Sequence, residues 1–91
     1  MVQINIPTPL RKFTDDHSKL DLEGNTVLEL IENLTEKYPS LRPFLLDGDS
    51  IRPYIKLFLG DQDIDSLERE RTSLKEGDIL SIIPAIAGGA I

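Results

Sequence analysis

The chain has 91 residues, 40% of them hydrophobic and 29% charged, the makeup of one globular domain with no room for a second core. It has no cysteine, which excludes disulfides, thiolate metal sites, iron–sulfur clusters and cysteine nucleophiles together. A formal charge of −6 works against nucleic acid, which is held by neutralising phosphates with Lys and Arg, and favours a basic protein surface as partner.

Val2, Ile4 and Ile6 alternate with Gln3 and Asn5, the period of a half-buried strand over residues 2–6. Pro7 and Pro9 stop it, since neither has a backbone donor. Arg11 to Ser18 is polar and reads as a loop. Leu20 and Leu22 then alternate with Lys19, Asp21 and Glu23 up to Gly24, predicting a second strand that forms a hairpin with the first.

Thr26-Val27-Leu28-Glu29 has the form of a capping box, with the Thr26 hydroxyl on the Glu29 amide and the Glu29 carboxylate reaching back to Thr26. Val27, Leu30, Ile31, Leu34 and Tyr38 follow at helical spacing as one apolar stripe. Pro39 ends that helix, because it disfavours helical geometry at Tyr38. Leu41 to Leu46 reads as one or two helical turns, and Asp47 to Ser50 as a loop.

Tyr54 to Leu59 is rich in aromatic and branched residues and predicts a strand. Gly60-Asp61 turns the chain, and Gln62 to Ile64 returns as a short strand. Asp65 to Arg71 is almost wholly polar and reads as an exposed connection. Leu74-Lys75-Glu76-Gly77-Asp78 feeds a final strand, Ile79 to Ile83, which Pro84 closes. The predicted plan is α+β, a sheet with one main helix across it and the first and last strands side by side in the middle. Residues 1–84 make the domain. Residues 85–91, small and with two adjacent glycines, read as a flexible tail.

Little of this supports catalysis. Asp61, Asp63 and Asp65 match the first ligand positions of a calcium loop, but Ser66 stands where the loop needs Gly and Thr72 where it needs Glu. His17 is the only histidine and has no second His, Ser or Cys with which to build a zinc or nucleophilic site. Asn33-Leu34-Thr35 has the form of a glycosylation sequon, but its Leu34 falls on the buried stripe. Glu68 to Arg71 alternates in sign, as self-solvating surfaces do. No apolar run approaches the ~20 residues that span a bilayer, and MVQINIPTPLRK lacks the pattern of a signal peptide. The expected location is the cytoplasm, away from membranes. The tail remains, and composition leaves two readings open: slack, or a stem of Pro84 to Gly89 that reaches about 20 Å when extended and threads a narrow channel because Gly has no side chain.

The whole chain resembles the ubiquitin-like sulfur carriers, the group that includes the molybdopterin-synthase small subunit and the carriers of the thiamine and cysteine pathways. The resemblance rests on Val2–Ile6, Gly24-Asn25-Thr26-Val27-Leu28-Glu29-Leu30, Leu74-Lys75-Glu76-Gly77-Asp78 and, most specifically, Ile82-Ile83-Pro84-Ala85-Ile86-Ala87-Gly88-Gly89. It implies the ubiquitin-like β-grasp fold, a mixed sheet with one main helix packed across it. It implies a substrate and sulfur donor rather than an enzyme, with no bound cofactor. The Gly89 carboxylate is adenylated by an activating enzyme that uses ATP, converted to a thiocarboxylate, and presented to a sulfur-accepting biosynthetic enzyme, with Ala87 and Gly88 as the stem. Family members ready to act end at the second glycine, whereas Ala90 and Ile91 follow here. The resemblance therefore also implies cleavage between Gly89 and Ala90 by a zinc peptidase of the JAMM type. Docking would use Phe58, Ile83 and Pro84 if Phe58 and Ile83 point outward; strand parity alone leaves outward and core placements open. The competing reading is a non-catalytic ubiquitin-like interaction module or protein modifier.

Overall fold

A computed structural model describes residues 1–53 and 55–83, with the backbone of Pro84. Its centre is a pair of parallel strands, β1 (Val2–Asn5) and β7 (Ile79–Pro84), in register Gln3↔Ile79, Ile4↔Leu80 and Asn5↔Ser81. β2 (Lys19–Leu22) pairs antiparallel outside β1. β5 (Ile55–Leu59) pairs antiparallel with β7, and β6 (Gln62–Asp63) lies outside β5. The sheet order is β2-β1-β7-β5-β6. The first and last strands thus occupy the middle, where both apolar runs have neighbours on each side. The turn before β7 secures this: the Lys75 amide donates to Asp78 Oδ2 at 2.8 Å, the Gly77 amide to the Met1 carbonyl and the Gln3 amide to the Asp78 carbonyl. Gly77 takes φ +86° there, a conformation that favours glycine.

Helix α1 (Val27–Lys37) covers one face of the sheet. Val27, Leu30, Ile31 and Leu34 are fully buried, as are Ile4 and Leu80 from the central strands and Leu57 from β5. Each such side chain contributes about 1.5–3 kcal/mol by leaving water. Thr26 caps the helix by accepting from the Glu29 amide at 3.2 Å. The Glu29 carboxylate reaches one residue further back than expected, to the Asn25 amide at 2.6 Å. The strand-like stretch Thr72–Leu74 ties the same turn down, with the Val27 amide on the Thr72 carbonyl and the Leu74 amide on the Asn25 carbonyl. Gly24 lies so close to the helix that a Cβ there would stand 2.8 Å from the Leu30 N and Cα.

Several loops are more structured than their composition indicates. Thr8–Phe13 forms a 3-10 turn that buries Leu10, with Phe13 packed on the core. Thr14, also fully buried, donates its hydroxyl toward the His17 and Arg11 carbonyls. After α1, a turn at Pro39–Leu41 leads into α2 (Arg42–Leu45). Asp47 to Ser50 is the turn of a small hairpin, β3 (Leu46–Asp47) with β4 (Ser50–Ile51). The connection at residues 65–71 is not simply exposed. Glu70 accepts the Ile51 amide at 2.8 Å, while Arg69 binds both Asp65 and the Ile51 carbonyl. Charge is used there to clasp the small hairpin, and Arg69 adopts φ +49° to do it. Ile64 opens a 3-10 turn instead of extending β6. Tyr54 and the expected tail, residues 85–91, lie outside the described residues. Among the described residues no helix is long and apolar enough to cross a membrane.

Candidate functional site

Alternation along β7 sends Leu80 and Ile82 into the core and leaves Ile79, Ser81 and Ile83 on the open face of the sheet. Ile83 is 48% exposed and Ile79 43%, which is unusual for branched side chains in a central strand. On β5, Ile55 and Leu57 point inward, while Lys56 and Phe58 lie half-buried on the open face. The register sets Lys56 opposite Ile83 and Phe58 opposite Ser81. Phe58 and Ile83 are therefore diagonal neighbours, a spacing of about 7–8 Å within reach of an aromatic ring.

Polar groups frame these apolar ones. Asn5 Nδ2 donates to Ser81 Oγ at 3.1 Å, and Gln3 Nε2 to Asn5 Oδ1 at 3.1 Å. On the other side Lys56 Nζ donates to Asp65 Oδ2 at 2.8 Å and stands 3.4 Å from Asp63. The hydrogen bond to Asp65 raises the Lys56 pKa above its ordinary value, and the bond from Lys56 holds the Asp65 carboxyl below its own. The ammonium is thus committed to β6 and its following turn. The open face thus sets the exposed Ile83 and the half-buried Phe58 among polar groups that are already hydrogen-bonded or ion-paired.

Pro84 closes β7 with its backbone opposite Ile55. Pro84, the last residue whose backbone is described, therefore adjoins Ile83 at the end of the patch. Ala87, Gly88, Gly89 and Ala90 lie outside the described residues. The other sequence candidates find ordinary partners. Asp63 caps the Asp65 amide at 2.9 Å besides facing Lys56. His17 Nδ1 lies 2.9 Å from the Thr14 carbonyl and acts as the donor, since a carbonyl only accepts. Asn33 Nδ2 donates to the Glu23 carbonyl at 2.7 Å. Among the described residues no three His, Asp or Glu side chains converge as metal ligands. A polar cleft of about 440 Å³ near the start of α1, lined by Glu23, Glu29, Asn33 and Glu76 among others, holds no nucleophile paired with a base. Two exposed features escaped the sequence reading, Ile79 beside the polar row and Phe44 at the far end of α2. The parity of Ile79 with Ile83 is the signal for the first; nothing in the spacing of residues 41–46 marks the second.

The ThiS family profile matches residues 4–89, a span that closes on the second glycine and leaves Ala90 and Ile91 beyond it. The sequence is 29% identical to the sulfur carrier protein CysO of Mycobacterium tuberculosis, over 97% of this chain and 98% of that protein. A chain of the crystal structure of the Amycolatopsis orientalis BexX/CysO complex superposes with a TM-score of 0.91 at 30% identity, covering 98% of this chain and 100% of that one. The solution structure of the small archaeal modifier protein 1 from Methanosarcina acetivorans is similar at a TM-score of 0.85 and 28% identity, over 97% of this chain and 95% of that one.

Proposed function

This chain belongs to the ThiS family and has the ubiquitin-like β-grasp fold, and from that premise we propose that it is a sulfur carrier whose working atoms are those of the Gly89 carboxyl group. The observation that carries the reading is the family match, which runs the length of the domain and stops at Gly89. The domain is a protein substrate and donor rather than an enzyme, which accords with an open face of apolar and hydrogen-bonded polar groups.

In the proposed cycle a zinc peptidase of the JAMM type first hydrolyses the Gly89–Ala90 bond. Until then Gly89 has no free carboxylate, because its carbonyl is held in the peptide bond to Ala90. A Gly89 carboxylate oxygen then attacks the α-phosphorus of ATP in an activating enzyme, and pyrophosphate leaves. Sulfur from a sulfide donor attacks the resulting acyl carbon, and AMP departs with the oxygen it received. The product is a terminal thiocarboxylate, which a sulfur-accepting biosynthetic enzyme consumes. ATP is the partner's cosubstrate, and the carrier holds no cofactor. Phe58, Ile83 and Pro84 supply the docking patch, and Ala87 and Gly88 the stem that enters the partner. Glycine suits that stem because nothing projects from its backbone.

Pyrophosphate release with the activating enzyme tests the reading on three chains: full length, ending at Gly89, and ending at Gly89 with Gly89→Ala. The chain ending at Gly89 turns over, and the other two are poor substrates. Equal rates for the full-length and shortened chains would remove the processing step. The likeness to a small archaeal modifier favours one second reading, transfer of the activated Gly89 carbonyl to lysine amines; branched peptides bearing the Gly-Gly remnant on lysine would mark it.

A further inference from the structure

The parallel pairing of β1 with β7 ends with Asn5 level with Ser81, so the turn that follows β1 lies at the same end of the sheet as Pro84. β5 begins at that end too, with Ile55 opposite Pro84 and Arg52 and Pro53 just before it. The Thr8–Phe13 turn packs there against the Pro39–Leu41 turn that follows α1. The result is a cluster that the carrier reading leaves unused. The Phe13 and Phe44 rings lie with centroids 5.0 Å apart, tilted by 33°, and Phe44 is 43% exposed. Lys12 Nζ sits 5.2 Å above the Phe13 ring. Arg52 Nε donates to the Pro43 carbonyl at 2.6 Å, just before Phe44, and Arg42 Nη2 reaches the Gly48 carbonyl at 3.5 Å in the hairpin turn that follows α2.

The partners of these cations within the protein are neutral carbonyls and a ring. The acidic turns Asp15-Asp16 and Asp47–Asp49 are near in sequence, yet among the described residues Lys12, Arg42 and Arg52 form no ion pair. This stands out in a chain with 16 acidic and 10 basic residues. The opposite end of the sheet, where β1 and β7 begin and β5 ends, carries Glu23, Asp61, Glu76 and Asp78. That end is acidic, whereas at the Pro84 end Lys12, Arg42 and Arg52 share their loops with Asp15, Asp16, Asp47 and Asp49 without pairing to them, around the exposed Phe44 ring and the half-buried Phe13.

We propose that this aromatic–cationic collar is a second contact for the enzyme that receives the Gly89 end, seated on a rim of that enzyme where carboxylates surround an apolar recess. The proposal rests on the carrier reading above. A partner that draws in the stem must close over the end of the sheet, because Pro84 to Gly89 reach only about 20 Å when extended. A domain held by its stem and the apolar Ile83–Phe58 patch retains freedom to turn, since apolar contact is not directional. A contact off that axis, made of charge-assisted hydrogen bonds around a buried ring, fixes the rotation. Lys12, Arg42 and Arg52 then meet the partner's carboxylates at short range, where screening by the rest of an acidic chain matters least.

Thiocarboxylate formation by the adenylating enzyme of the same genome, followed at low and high salt, tests this on chains ending at Gly89. Lys12→Glu with Arg42→Glu raises KM about tenfold or more at low salt with kcat unchanged, and added salt narrows the gap. Phe44→Ser raises KM about fivefold at either salt. Asp61→Lys at the opposite end leaves KM within about twofold. Thermal melts show that Lys12→Glu with Arg42→Glu still folds, since both side chains are exposed. An unchanged KM in that double variant, with Gly89→Ala still blocking the reaction, overturns the collar and leaves the carrier standing. Failure of the unmutated chain to form any thiocarboxylate overturns both. A wild-type dimer that Phe44→Ser dissolves without moving KM assigns the rings to a second copy of this chain and also overturns the proposal.

Discussion

Replacing Gly24 by Ala adds one methyl group at a place where the fold has no room for it. Its Cβ would stand 2.8 Å from the N and Cα of Leu30 and 2.9 Å from its Cβ, about 1 Å inside ordinary carbon contact. The obstruction is largely backbone, so no side-chain rotation relieves it. Helix α1 cannot retreat cheaply either, because the Thr26 cap, the Leu74 amide on the Asn25 carbonyl and the Val27 amide on the Thr72 carbonyl hold its first turn. Overpacking of this kind costs about 1–3 kcal/mol, which for a domain of this size lowers Tm by roughly 4–24 °C. Differential scanning calorimetry measures it directly. Gly48→Ala is the informative comparison: Gly48 has open space around it but φ +65°, so its cost is conformational, about 1–2 kcal/mol. Gly24→Ser should then be at least as damaging as Gly24→Ala, whereas Gly48→Asn should recover much of the loss, since Asn tolerates that conformation. A Gly24→Ala protein melting within about 1 °C of the parent would refute the account of how the helix is seated.

Thr14→Val keeps the volume of a fully buried side chain but removes the hydroxyl that faces the Arg11 and His17 carbonyls; urea unfolding should show a loss of about 1–3 kcal/mol, and an unchanged midpoint would contradict it. Asp65 titrates below the ordinary carboxylate value because Lys56 bonds its charged form. Its contribution to stability is therefore present above the unfolded-state pKa and lost as pH falls through the folded one. Carboxyl NMR titration of Lys56→Met should move the Asp65 midpoint up toward 3.8, and no movement would show that the ion pair is absent in solution. Lys56 has the opposite sign: its raised pKa gives a contribution present below the unfolded value and lost as pH rises through the folded one.

The parts of the fold that could be read from the sequence are those where one physical rule acts alone. Strict alternation at Val2, Ile4 and Ile6, the Thr26–Glu29 cap and the stripe from Val27 to Leu34 each have a single solution, and each element is present. The central pairing of β1 with β7 followed from burying two apolar runs at once. What escaped depended on long-range partners. Arg11 to Ser18 is polar by composition, yet Thr14 is buried and Phe13 packs against Phe44, thirty-one positions away in the chain. Glu70 and Arg69 resemble solvated charges until Ile51 supplies an amide and a carbonyl for them. The hairpin of β3 and β4 is too short to leave a periodic signal. At the candidate site, strand parity left Phe58 and Ile83 open to either face, and the side of the sheet that α1 covers decided their exposure and that of Ile79. The Gly-Gly pair was visible as sequence and took its meaning from the family match that ends on it.

The most direct test of the carrier account is the intact mass of this protein isolated from its native cell during active sulfur assimilation. The account predicts a chain that has lost Ala90 and Ile91, with a fraction heavier by the difference between sulfur and oxygen, and with fragmentation placing that sulfur on Gly89. A population that keeps both residues and carries no sulfur under those conditions would contradict it.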